Sequence, residues 1–69
     1  MRKQFEGYIP ALHSAQNDCR KGDLVVVKSP IEGAYFTSPI AEVRSEEKIL
    51  KYVGYRKGEL KTSSEKLSE

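Results

Sequence analysis

The residues best able to do chemistry in this sequence lie between Ile49 and Lys61, in the stretch ILKYVGYRKGELK. Tyr52 and Tyr55 stand on either side of Val53-Gly54, and the basic pair Arg56-Lys57 follows at once. An aromatic ring presents a negative face to a cation, and each such contact contributes roughly 0.5–2 kcal/mol. The same rings stack on nucleic-acid bases, while Lys48, Lys51, Arg56, Lys57 and Lys61 suit phosphate contacts. Glu46, Glu47 and Glu59 are interleaved with these cations, so a mixed solvated face is the alternative reading of that basic set. Tyr35 and Phe36 form a further aromatic pair, and Phe36 and Tyr52 have core packing as their alternative role. Tyr55, after a glycine and beside two cations, is expected to be at least half exposed.

Catalytic groups are sparse. The sequence has one histidine, His13, and one cysteine, Cys19, both in a polar stretch where a plain loop role is expected. No serine, histidine and acid stand at suggestive spacing, and no glycine loop suits a phosphate, so the reading is that this is not an enzyme. One thiol and one imidazole also fall short of the roughly four ligands of a structural zinc site. No metal or cofactor is expected.

With 69 residues the chain can form one domain around one small core. A lone cysteine gives no disulfide staple, which favours an intracellular setting, cytoplasmic or nuclear. No apolar run approaches the roughly 20 residues of a membrane span, and no signal peptide is visible after Met1, so none is expected. The net charge of +2 is compatible with nucleic acid without demanding it.

The elements that must position the tyrosines read as strands. Phe5, Gly7 and Ile9 alternate with Glu6 and Tyr8 in a marginal strand that Pro10 stops. Residues 11–22 then read as a loop or one helical turn, with Asn17-Asp18 and Lys21-Gly22-Asp23 as turn signals. Leu24 to Val27 are apolar on both faces, a strand covered from two sides. After the Ser29–Gly33 turn, Ala34–Val43 reads as a second strand, with Pro39 implying an edge or a bulge. Ile49–Tyr55 reads as a third strand and Glu59–Thr62 as a short fourth, joined by the Arg56-Lys57-Gly58 turn. Leu67 is expected to tuck back onto the core, and the last residues to fray. The class is therefore all-β, with no confident helix, and a strongly bent, barrel-like meander is the natural architecture at this length.

The order of these features resembles the Tudor domain of the Royal family, most of all the survival-of-motor-neuron type. The resemblance spans Gly22 to Leu67. It rests on Gly22-Asp23 before a strand, on Gly33, Phe36 and Ile40, on Tyr52-Val53-Gly54-Tyr55, and on Ser64 to Leu67. It implies a small bent antiparallel SH3-like barrel over 22–67, with 1–21 an irregular N-terminal extension or extra strand plus loop, and 68–69 a tail. It also implies a binding module that recognises a peptide with methylated arginine or lysine in an aromatic cage of Phe36, Tyr52 and Tyr55. Tyr35 supplies a ring if the register differs by one. The cage is partial, because Ser29 falls at the family's first cage aromatic and the cation Lys57 at its ligand-binding asparagine. Two alternatives stand beside it. One is RNA or DNA binding of the KOW type through Lys48, Lys51, Arg56, Lys57, Lys61 and exposed tyrosines. The other is protein docking through a strand edge with no cage. In isolation the domain is expected to be a monomer.

Overall fold

A computed structural model describes residues 2–68. Its strands are β1 (Lys3–Phe5), β2 (Leu24–Ser29), β3 (Ala34–Ser38), β4 (Lys48–Arg56) and β5 (Glu59–Ser63), with one helix, α1 (Tyr8–Asp18), between β1 and β2. Short 3-10 turns cover Cys19–Lys21 and Ile40–Glu42. All strand pairs are antiparallel, in the order β1-β3-β2-β4-β5. This is a small all-β unit consistent with the SH3-like class, and β1 and β5 form the two ends of its ladder. Among the described residues no helix is long and apolar enough to cross a membrane.

Three features depart from the sequence reading. The first is α1, which occupies the stretch expected as a loop or one turn. Tyr8, Ala11, Leu12, Ala15 and Cys19 fall at helical spacing, and all of them join one apolar cluster. Pro10, which the alternation of Phe5, Gly7 and Ile9 made a strand stop, stands third in the helix. There the amide has no intrahelical acceptor, so proline removes nothing. The extra strand of the N-terminal reading is present as β1, and where its loop was expected a helix stands that contributes to the core.

The second departure is the end of β3. The strand stops at Ser38, and Pro39 opens the Ile40–Glu42 turn instead of lying inside a strand that runs to Val43. The third follows from it. The chain leaves β3 and crosses to the far side of β2 before forming β4, so the consecutive meander is broken between these two strands. Val43, midway along the crossover, packs on the sheet face opposite the helix.

Both faces of β2 are dry as a result. Val25, Val26 and Val27 are at most 1% exposed. Val26 joins Val53 under α1, while Val25 and Val27 join Ala34 and Phe36 on the other face. The continuous valine run thus reads correctly as a strand covered on two sides.

The β4–β5 hairpin closes through Lys57 and Gly58, with φ of 54° and 78°. Positive φ at both central residues is the pattern of a type I′ turn, which matches the twist of the flanking strands. At Gly54 a Cβ atom would lie 2.9 Å from the Asp23 carboxyl carbon and 3.1 Å from Arg56 Nη1. This glycine leaves room for the Asp23–Arg56 ion pair that passes over the strand. Leu67 is half-buried beside Arg56, Lys61 and Thr62 and belongs to neither core cluster. Ser68, in the segment expected to fray, accepts a hydrogen bond from Arg56 Nε at 2.7 Å. Glu69, the other residue of the tail, lies outside the described residues.

Ala15 is fully buried where α1 meets the sheet. Ala15→Leu is expected to cost about 2 kcal/mol by overpacking, a fall in Tm on the order of 10 °C for a domain of this size. Thermal unfolding followed by circular dichroism checks this. An unchanged Tm would mean that the helix does not rest on Val26 and Val53.

Candidate functional site

In a regular strand, residues an odd number of positions apart point to opposite faces. From Tyr52 to Tyr55 the pairing of β4 with β5 runs without a break, as Tyr52↔Ser63, Val53↔Thr62, Gly54↔Lys61 and Tyr55↔Leu60. The two tyrosines therefore sit back to back. Tyr52 packs with Phe36, Val25, Val27 and Ile49, whereas Tyr55 packs with Val26, Val53 and α1. The neighbours Tyr35 and Phe36 divide the same way, Tyr35 to the helix side and Phe36 to the other. Phe36, Tyr52, Tyr55 and Tyr35 thus form two pairs on two faces rather than one cage.

Three of these rings already face a cation of the same chain. The Arg2 guanidinium lies 4.7 Å from the Phe36 centroid, Arg20 lies 5.2 Å from Tyr55, and Lys28 Nζ lies 5.0 Å from Tyr35. Ser29, at the family's remaining cage position, is 2% exposed, and its hydroxyl accepts the Glu32 amide at 3.3 Å.

The Arg2 contact is the most elaborate. Its Nη1 donates to Glu47 Oε1 and to the Glu42 carbonyl oxygen, both at 3.1 Å, and its Nη2 donates to Glu47 Oε2. The Arg44 amide adds a fourth hydrogen bond to this small network, 2.9 Å from Glu47 Oε1. The Glu47 side chain is fully buried, so each of these donors replaces water. Arg2's hydrogen bonds hold the Glu47 carboxyl below the ordinary glutamate range, against the opposing effect of burial. Hydrogen bonding to Arg56 likewise lowers Asp23, and hydrogen bonding to Lys3 lowers Asp18. Burial pushes the Cys19 thiol up. At 2% exposure Cys19 is a core residue rather than a loop residue, while His13 is exposed on α1.

The basic set also divides. Arg56 pairs with Asp23, and Lys61 pairs with Glu59 at 3.3 Å. Arg56, Lys57, Glu59, Lys61 and Leu67 line a groove of about 650 Å³ along the β4–β5 hairpin. A second groove, about 630 Å³, runs past Lys3, Asp18, Arg20, Lys21, Asp23 and Leu24. Lys48 and Lys51 lie apart from both, toward the start of β4.

There the register adds a residue that the sequence reading passed over. Lys28 of β2 stands directly opposite Lys48, and Lys51 stands opposite Val26 on the same side. The pairing jumps from Val26↔Lys51 to Val27↔Ile49, so Leu50 is a bulge. That extra residue is why Ile49 and Tyr52 share a face while Lys48 and Lys51 share the other. Tyr35 is the partner of Lys28 across β3, and the Tyr8 ring meets Tyr35 edge-on at 6.1 Å and 61°. Among the described residues, Lys28, Lys48 and Lys51 make no ion pair. Only the strand register, which composition does not reveal, brings Lys28 to this group.

Searches of family models, curated proteins and solved structures find nothing that matches the chain.

Because the Glu47 pKa is lowered on folding, the stability it confers is present above the ordinary glutamate value and is lost as pH falls through the lower folded value. Glu47→Gln should therefore be less stable than the parent at neutral pH, with the gap closing as the pH drops below about 4. Urea midpoints across a pH series measure this, and a gap constant with pH would contradict it. Arg2→Ala, which strips the buried carboxylate of its main donor, is expected to cost about 3 kcal/mol at pH 7 in the same assay.

Proposed function

We propose that this protein is a non-enzymatic binding module whose contact surface is the group Lys28, Lys48 and Lys51 beside Tyr35, and whose ligand is RNA or DNA. One observation carries the reading. Lys28 and Lys48 face each other directly across β2 and β4 with no carboxylate partner among the described residues. Like charges in such a cross-strand pair repel and destabilise the sheet. A phosphate chain would neutralise them, releasing its own counterions as it did so.

A second reading keeps the methylated arginine ligand on the opposite face. It is supported by the seating of a guanidinium on Phe36 against Glu47, but that seat holds Arg2 of the same chain. A peptide would have to displace a residue tied to the buried Glu47, which weakens any such binding.

Nucleic-acid binding through three lysines should show a slope of log K against log salt of about −2 for a single strand. Lys28→Gln and Lys48→Gln should each reduce its magnitude by about 0.7. Fluorescence anisotropy over a salt series reads both. Binding that is insensitive to salt, or unchanged in the double variant, would sink the reading.

A further inference from the structure

The lysine group has dimensions and a neighbour that bear on which nucleic acid it takes. Lys28 and Lys48 lie on adjacent strands, about 5 Å apart at their Cβ atoms. Lys48 and Lys51 stand opposite Lys28 and Val26, two strand steps apart, so with Leu50 bulged between them they are separated by about 7 Å. The patch is therefore smaller than the roughly 12 Å opening of a major groove that separates the two backbones of a duplex. It is long enough to follow one phosphate chain, and because a minor groove is only about 6 Å wide, the choice between single strand and duplex falls to the neighbouring ring.

The neighbour is Tyr35, half-buried on the same face and directly across from Lys28. Its ring is propped by the edge of Tyr8 and covered by the Lys28 ammonium, 5.0 Å from the centroid. Lys28 is exposed and has no carboxylate to hold it there among the described residues. A phosphate attracts an ammonium more strongly than a phenol ring does, so a bound backbone would draw Lys28 off the ring and bare it. A base that is free to unstack can then lie on Tyr35, whereas a base inside a duplex cannot reach it.

Resting on the nucleic-acid reading above, we infer that the site selects single-stranded over duplex nucleic acid, with Lys28 acting as a cap that leaves Tyr35 when phosphate binds. Lys28 and Lys48 supply the salt-dependent part of the affinity, and Tyr35 supplies a stacking contribution that is largely independent of salt.

The test measures anisotropy of the full chain with a labelled eight-nucleotide oligothymidine and with a mixed-sequence duplex, at matched salt. The variants are Lys28→Gln, an exposed change that leaves the core alone, and Tyr35→Leu, which keeps an apolar side chain and is checked for folding by circular dichroism. The single strand is expected to bind at least about tenfold tighter than the duplex. Tyr35→Leu should remove about that factor without changing the salt slope, and Lys28→Gln should lower the slope. Equal or tighter duplex binding overturns the inference while leaving the nucleic-acid reading standing. So does a folded Tyr35→Leu that binds the single strand as the parent does. Salt-dependent binding of neither probe overturns both.

Discussion

The central strand β2 has to be dry on both faces, and the rest of the molecule is arranged around that requirement. Val25, Val26 and Val27 are consecutive, so a sheet covered on one face alone would leave either Val26 or both Val25 and Val27 in water. One cover is α1, whose small residues Ala11 and Ala15 let the helix backbone approach the sheet. The other is the crossover from β3 to β4, which brings Val43 over Val25, Val27 and Phe36. A chain this short buries only about 60% of its unfolded surface. Each cover therefore draws on residues that a larger domain would leave free for ligands.

That demand explains what happens to the aromatic residues. Phe36 and Tyr52 help to fill one layer, and Tyr35 and Tyr55 help to fill the other. The remaining faces of Phe36, Tyr35 and Tyr55 are shielded by Arg2, Lys28 and Arg20, side chains that cover apolar surface with long stems and keep a charge near water. Arg2 is the exception in degree. It is joined to a fully buried carboxylate, so it acts as a structural fastening between the N-terminal strand and the crossover. Lys28 and Arg20 have no such tie among the described residues, so Tyr35 and Tyr55 are more easily uncovered than Phe36.

Much of the sheet was legible in the sequence, because the valine run, the glycine turns and the apolar residues of β4 are local signals. The helix was hidden for a physical reason. Its buried positions are alanines, which carry little hydrophobic signal, and Ser14, Asn17 and Asp18 have low helix propensity. The strand order could not be read, since neither Pro39 nor the turn at Ile40–Glu42 says to which side of β2 the chain goes next. The candidate site suffered most from this. The spacing of Tyr52 and Tyr55 suggested a shared pocket, yet an unbulged strand sends them to opposite faces. Lys48 and Lys51 were picked out, but Lys28 joins them only through a register that no single segment encodes.

The surface that contacts a ligand is therefore expected on the helix side, at the end of the sheet where β2 and β4 bring their lysines together. The most direct test is amide chemical-shift mapping of the labelled protein, with a single-stranded oligonucleotide and a dimethylarginine peptide added to separate samples. Shifts centred on Lys28, Tyr35, Lys48 and Lys51 with the oligonucleotide, and none with the peptide, are the predicted result. Shifts confined to Phe36, Val43, Glu47 and Tyr52 with the peptide, and silence with the oligonucleotide, would contradict it and return the contact surface to the opposite face.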